Sequence, residues 1–357
     1  MTPPTTMTAV LADTGATPAP AGWRYCVSTR VGDRTVRFGL ANVPRIRFAA
    51  DADYNRDHVL VRVETFGLTE RDVAVLPDDG RRLAGAARGI GSRFVGEVVA
   101  VGAAVRTLRT GDRVVPCAEW PPPPDTGSEG LPTLTASRRY LRLPARALFA
   151  VPPEMPDRIA AAVAVTGQAA FAVVRRLALS SGESALVCDA HTAHGSALVS
   201  ALVADRVRVL ALMPFPREIE GVDEVVDSLD REARRYALAA KGLDAVIDPG
   251  GTARLAAAIP LLGLGGRYVV CGDAGRASDA DWNAVHHSLV RKHVSVVGHH
   301  LGTRVDLAAA VNAWQRGDWT PPAEPAFGTA DLAGFAGHAC SVERPGLGLF
   351  DLTDAED

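Results

Sequence analysis

Ala185-Leu186-Val187-Cys188-Asp189-Ala190-His191-Thr192-Ala193-His194-Gly195-Ser196 is the stretch on which the fold turns. Four consecutive apolar residues are too few for a helix and suit a strand buried on both faces. Gly195 to Ala204 then reads as helix and Val207 to Leu212 as the next strand. Working outward, Asp244 to Ile247 and Arg267 to Cys271 are two more strands, separated by a helix around Ala253 to Leu262. Val294 to Val297 is a further strand, and Asp306 to Gln315 a helix; ahead of them all, Asp157 to Leu179 is helical. Strands alternating with helices predict an α/β fold with a doubly wound parallel sheet.

Before Pro152 the period is different. Tyr25-Cys26-Val27-Ser28 and Thr35-Val36-Arg37-Phe38 alternate around a Gly32-Asp33 turn, which predicts a hairpin. Thr8 to Leu11 reads as an edge strand; His58 to Val63, Phe94 to Val101 and Arg113 to Val115 continue the β pattern. The run Trp120-Pro121-Pro122-Pro123-Pro124 is stiff and makes no ladder, so it belongs to a surface loop. With 357 residues, 47% of them hydrophobic, two domains are expected.

Charge and cysteine usage narrow the function classes. There are 38 basic and 41 acidic residues, a net charge of -3, and no basic stripe, which argues against nucleic acid. Only two of the basic residues are lysines, Lys241 and Lys292. The five cysteines show no CxxC spacing, so neither a disulfide framework nor a zinc knuckle is implied, and a cytoplasmic location is expected. No apolar run reaches the ~18 residues of a membrane helix, so no membrane is expected either.

Three segments, in order, resemble the medium-chain dehydrogenase/reductase superfamily. They are His58 to Asp72, with its Gly67-Leu68-Thr69; Gly91 to Gly102 followed by Leu108 to Val115; and Tyr140 through Ala150-Val151-Pro152-Pro153 and Thr166-Gly167-Gln168 to Val187. Asp248-Pro249-Gly250-Gly251 and Gly265 to Gly272 match later strands of that family. The resemblance implies a GroES-like β domain from residues 1–150 and 301–357, with a Rossmann domain over 151–300. It points to the quinone oxidoreductase and enoyl reductase branch and implies a homodimer, through the strand Val294 to Val297.

The family's zinc enzymes hold the metal with Cys and His. The corresponding segments here read Phe66-Gly67-Leu68-Thr69 and Val95-Gly96-Glu97, so no metal is expected. The neighbouring pairs His286-His287 and His299-His300, read on strands, point to opposite faces and cannot chelate as pairs. Thr69 and Tyr140 are the candidate catalytic residues on the β domain, and His191 and His194 on the nucleotide loop. The cofactor positions implied by the resemblance are Thr166, Thr192, Gly195, Ser196, Arg217 and Gly272. The loop departs from the family pattern: Asp189 stands where the first glycine belongs, and Thr192 and Ala193 replace the middle ones. No acid follows Leu212 to hold a ribose diol, whereas Arg217 suits a 2′-phosphate. The helix before Asp223 is largely deleted.

The expected activity is NADPH-dependent, zinc-independent reduction of an activated C=C (enone, enoyl thioester or quinone) in a small molecule of bacterial specialised metabolism, with NADPH bound weakly but better than NADH. The alternative is a non-redox cyclase or isomerase on the same scaffold.

Overall fold

The computed structural model describes residues 5–14, 22–76, 87–123, 130–215, 218–252, 254–272, 282–341 and 346–354. The chain divides into two compact units, one of Met1–Thr166 with Ala323–Asp357, the other Gly167–Pro322. The boundaries fall later than 150 and 300. The first unit keeps the helix that starts at Asp157, and the second keeps Arg304–Gln315, which packs on Gln168–Leu177.

The first unit opens with β1 (Thr6–Asp13), β2 (Trp23–Val31) and β3 (Arg34–Pro44). It continues through β4 (His58–Gly67), α1 (Glu70–Ala74), β5 (Arg88–Gly89), β6 (Arg93–Val101), β7 (Arg113–Pro116), β8 (Tyr140–Pro144), β9 (Leu148–Ala150) and α2 (Asp157–Ala162). One sheet has the order β2-β3-β1-β5. β1 is therefore an interior strand, not the edge strand its short apolar core suggested. It pairs with β3 along its whole length and with β5 at Leu11 and Ala12, and all but its first residue are buried.

After α2 the helix is interrupted: Val165 takes φ 58° and ψ -62° within Val163–Gly167, a costly conformation for a β-branched residue. The whole helical stretch Asp157–Leu177 is long and apolar enough, by length and composition alone, to span a bilayer, although Asp157, Arg158, Gln168, Arg175 and Arg176 interrupt its apolar run. In the fold 72% of its most apolar window is buried.

The second unit holds α3 (Gln168–Leu177), β10 (Ser184–Val187), α4 (Ala193–Ala204), β11 (Arg208–Leu212), β12 (Glu224–Val226), α5 (Arg234–Ala239), β13 (Leu243–Asp248), α6 (Leu255–Ala258), β14 (Leu262–Val270), α7 (Trp282–Lys292), β15 (Ser295–Gly298) and α8 (Arg304–Gln315). Its strands run β12-β11-β10-β13-β14-β15, every neighbouring pair parallel. Alternate residues explain why both faces are buried. Val187, Val209, Ile247 and Val269 pack with Val173 of α3 and Leu198 of α4. Leu186, Leu210, Val246 and Tyr268 pack the other way, with Ala237 of α5, Leu255 of α6 and Val285 of α7. Among the described residues no helix separates β11 from β12, and so short a connection is unusual for parallel strands. His286 and His287 are exposed residues of α7, not of a strand, because an apolar face that includes Val285 and Leu289 makes that segment helical.

The chain then returns to the first unit with β16 (Ala326–Phe327), α9 (Leu332–Ala339) and β17 (Leu349–Asp351). These complete the second sheet, β16-β17-β4-β6-β7-β9, with β8 on β4. Phe335 and Phe350 stack against Phe66 with ring centroids 5.7 and 5.5 Å away. Beside them Arg93, fully buried, is held by Glu324 at 2.6 and 3.0 Å and donates Nε–H to the Leu68 carbonyl. The Glu324 carboxylate also accepts the Gly348 N–H. Burial alone would raise the Glu324 pKa, but the Arg93 charge and these hydrogen bonds lower it.

Removing one partner leaves a buried charge uncompensated, so Glu324→Ala should destabilise the protein by about 3–5 kcal/mol. Because the folded-state pKa of Glu324 lies below its unfolded value, this stabilisation is present above the unfolded pKa and is lost as pH falls through the folded one. Thermal denaturation of wild type and Glu324→Ala from pH 7 downward should show the two melting temperatures converging; a constant gap would contradict the assignment.

Candidate functional site

In a sheet of this order, ligands bind at the carboxyl ends of the central strands, where the connections part to opposite faces. Here those strands are β10 and β13, and the turn from β10 into α4 is the sequence's unusual loop. Thr192 caps α4: its Oγ1 accepts from the Gly195 N–H at 3.0 Å and donates to the Asp189 carbonyl at 2.8 Å. Ser196 donates its hydroxyl back to the Ala193 carbonyl. Both hydroxyls expected at a cofactor thus serve the turn itself. Gly195 is required because a Cβ there would stand 2.1 Å from the Asp189 carbonyl oxygen. Gly272 is required for a like reason, a Cβ falling 1.7 Å from the carbonyl oxygen of Pro249.

Asp189 adopts φ 49°, the left-handed region that the family's glycine would occupy freely. A non-glycine residue there costs roughly 1 kcal/mol, least for Asp and Asn. Its carboxylate is not left facing the loop. Arg254, at the N-terminal end of α6, grips it with both nitrogens, at 2.6 and 2.9 Å. The same guanidinium donates to Asp248 at 3.0 Å. Asp248 is fully buried and also accepts from the Tyr268 hydroxyl at 2.7 Å and the Gly250 N–H at 2.9 Å. Desolvation opposes the charge on Arg254, but the two carboxylates outweigh it and raise its pKa. Burial pushes the adjacent Cys188 and Cys271 thiols up, so neither supplies a thiolate at neutral pH.

The two loop histidines differ. His191 precedes the cap, whereas His194 lies in the first turn of α4 with its Nε2 shut away from solvent. Burial lowers the His194 pKa to about 4, so its ring is neutral at pH 7 and brings no positive charge to an anion. His299, after β15, is also lowered, by burial and by the neighbouring His194 and Arg176, although its hydrogen bond to Leu301 at 2.6 Å opposes the shift. Arg217 lies outside the described residues.

In the first unit Thr69 caps α1 in a reciprocal box with Asp72. The buried Asp72 Oδ2 accepts the Thr69 N–H at 2.8 Å and hydroxyl at 3.0 Å, and the Ser92 N–H at 3.1 Å and hydroxyl at 2.8 Å. Burial raises the Asp72 pKa despite these donors. Ser92 and Arg93, not Glu97, adjoin this cluster; Glu97 lies further along β6 and pairs with Arg62 at 2.8 Å. Tyr140 is not brought to Thr69. It pairs with Arg62, five residues back along β4 from Gly67, and packs with Met7 and Leu60 under the Arg45 guanidinium. Thr166 is buried at the end of the interrupted helix, and Trp120 is 43% exposed. Among the described residues no group of three or more His, Cys, Asp or Glu side chains gathers as a metal site would require.

Arg254, Asp248 and Tyr268 were missed by sequence reasoning. Asp248 was visible as part of a family-like segment, but Arg254 is 65 residues from Asp189 and no local spacing links them.

Comparison with known proteins agrees with this geometry. Residues 55–153 match the family model of the alcohol dehydrogenase GroES-like domain. No curated protein matches significantly in sequence. Among solved structures, the chain is similar to a putative alcohol dehydrogenase from Sinorhizobium meliloti, at 20% identity and a TM-score of 0.75 over 96% of this chain and 99% of that one. A quinone oxidoreductase from Pseudomonas syringae matches at 19% identity and 0.72, over 97% and 100%. The CurK enoyl reductase matches at 18% and 0.68, over 87% and 95%. At such identities the likeness is one of fold.

The depressed His194 pKa has a testable consequence. Its unfolded value of 6.5 lies above the folded one, so its share of stability is full above pH 6.5 and is lost as pH falls toward 4. His194→Gln should flatten the fall in melting temperature across that window, and an NMR titration should show the ring still neutral at pH 5.5.

Proposed function

We propose that this chain, whose residues 55–153 match the alcohol dehydrogenase GroES-like domain and whose fold is similar to that of medium-chain dehydrogenases/reductases, catalyses zinc-independent, NADPH-dependent reduction of an activated C=C in a small molecule. One observation carries the reading: a six-stranded parallel sheet whose central strand, β10, runs straight into the capped N-terminus of α4. That terminus offers first-turn N–H groups and a favourable dipole to a phosphate. Arg254 pairs with the Asp189 carboxylate and so places a guanidinium beside the turn, a group suited to a phosphate that the loop sequence alone did not offer. Thr192, Gly195, Ser196 and Gly272 would line the phosphates of a dinucleotide, the N–H groups of the first three being engaged within the turn, with Thr166 and Arg217 as further candidate positions.

The reduced nicotinamide, when bound, supplies hydride to the β-carbon of the substrate. Thr69 is the group on this chain for the substrate's oxygen: its hydroxyl turns from Asp72 toward a carbonyl and stabilises the negative charge that develops there. Asp72 is a positioning residue, since it holds the Thr69 hydroxyl and backbone. Water returns the proton at the α-carbon. His191 and His194 would act beside the phosphate turn as hydrogen-bonding groups, His194 as the neutral ring. Tyr140 is assigned no step.

Two experiments test the reading. Calorimetric titration should show NADPH binding and NADH binding more weakly; absence of both would remove the reductase assignment. With NADPH and an enone, Thr69→Val should lower kcat by about 100-fold, the lower end of what one positioned donor contributes, while Thr69→Ser retains activity. Equal activity of Thr69→Val and wild type would remove Thr69 from the reaction.

We also propose that the chain is a homodimer joined through β15. Among the described residues that strand pairs only with β14 and leaves Val296 45% exposed, a sheet edge suited to a second copy. Light scattering should give a dimer mass for wild type and a monomer mass for Val296→Arg; a wild-type monomer would rule the interface out.

A further inference from the structure

The Asp189–Arg254 pair is built against local cost. A carboxylate occupies a left-handed turn position where glycine would sit without strain, directly before the helix that an anionic ligand would approach. Both guanidinium nitrogens are committed to that carboxylate, although Asp248 already lies within 3.0 Å and is deeply buried. Asp248 is also served by Tyr268 and Gly250. Asp248 therefore anchors Arg254 from behind, and Asp189 occupies it in front. The two are not equivalent: the Asp248 side chain is wholly enclosed, while those of Asp189 and Arg254 remain 22% and 31% exposed. The exposed half of the junction can exchange its partner; the enclosed half cannot.

We infer that Asp189 and Arg254 form a latch at the dinucleotide turn, in which the Asp189 carboxylate holds the guanidinium that a ligand's phosphate takes over on binding. The inference rests on the nucleotide reading above and adds its regulation. The ligand must carry an oxyanion, which in the nucleotide reading is its pyrophosphate, because a bidentate guanidinium exchanges one oxyanion for another and holds a neutral acceptor more weakly. Released from Arg254, the Asp189 carboxylate turns toward solvent, and Arg254 stays tethered to Asp248. The apparent affinity is then the intrinsic affinity reduced by the fraction of molecules with the latch open. Asn is isosteric with Asp and tolerates the same backbone region, so Asp189→Asn opens the latch without disturbing the turn.

The test uses the full-length protein with two probes, inorganic pyrophosphate and NADPH. Binding is read as the rise in melting temperature with ligand concentration and by calorimetry. Asp189→Asn should bind both probes about tenfold more tightly than wild type, the size of one screened charge interaction at contact distance. Arg254→Lys keeps a cation beside Asp248 but loses the fork. It should bind pyrophosphate more weakly than wild type, and in the double variant Asp189→Asn should recover less than half of its gain. Asp189→Asn binding no more tightly than wild type, or its full gain surviving in the double variant, would overturn the latch. Pyrophosphate following the latch while NADPH binds none of the four proteins would overturn the nucleotide reading and leave the latch standing. Tight NADPH binding by wild type, with Asp189→Asn no tighter, would do the reverse.

Discussion

The register of β10 against β13 is the constraint on which the second unit depends. Val187 lies opposite Ile247, and this sets the carboxyl ends of the two strands level. The turn after β10 and the turn after β13 consequently open at one edge, and one guanidinium spans the two carboxylates there. Were β10 shifted by one residue against β13, Leu186 and Val187 would exchange faces, and both layers of the core would lose their fit. Hydrophobic burial on two faces thus fixes, as a by-product, the position of the polar junction between Asp189, Arg254 and Asp248. The charges do not organise the sheet; the sheet brings the charges together.

The first unit solves a comparable problem with different means. Its strands pair antiparallel except β16 with β17, and burial differs among them: β1 is buried on both faces, whereas β2 alternates between half-buried and exposed residues from Val27 on. Polar groups are nonetheless enclosed among the described residues. Asp72 gathers four donors from Thr69 and Ser92 onto one oxygen, and Arg93 meets Glu324 from a distant part of the chain. The first is local and orients a hydroxyl. The second is long-range and ties the C-terminal segment to the strand that carries Arg93.

The parallel sheet was legible because its strands are short, wholly apolar runs separated by helical periods, and the hairpin β2–β3 because Gly32-Asp33 interrupts an alternating pattern. The role of β1 was not: Thr8 to Leu11 reads alike at an edge or in the middle, since partners supplied by distant segments decide which it is. At the start of the short helix α1, Thr69 read as a site residue because a hydroxyl that suits a substrate oxygen also suits a cap. In the nucleotide loop, the loss of glycines and the carboxylate of Asp189 were plain in the sequence. What compensates for that carboxylate was not, because the pairing with Arg254 is created by strand register and not by spacing. Glu97 lies further along β6, paired with Arg62, and the residue at that strand's start that reaches Asp72 is Ser92.

The division of the first unit between the two ends of the chain bears on its synthesis. Phe66 waits for Phe335 and Phe350, and Arg93 for Glu324, all emerging from the ribosome after the whole of the second unit. The second unit is continuous from Gly167 to Pro322 and has everything it needs once its last helix is made. The nascent N-terminal portion meanwhile exposes the Phe66 face and an arginine destined for the interior. The order of translation therefore reverses the order of completion: the part made first is finished last, and it is this half-built β unit that the cell must keep from premature association.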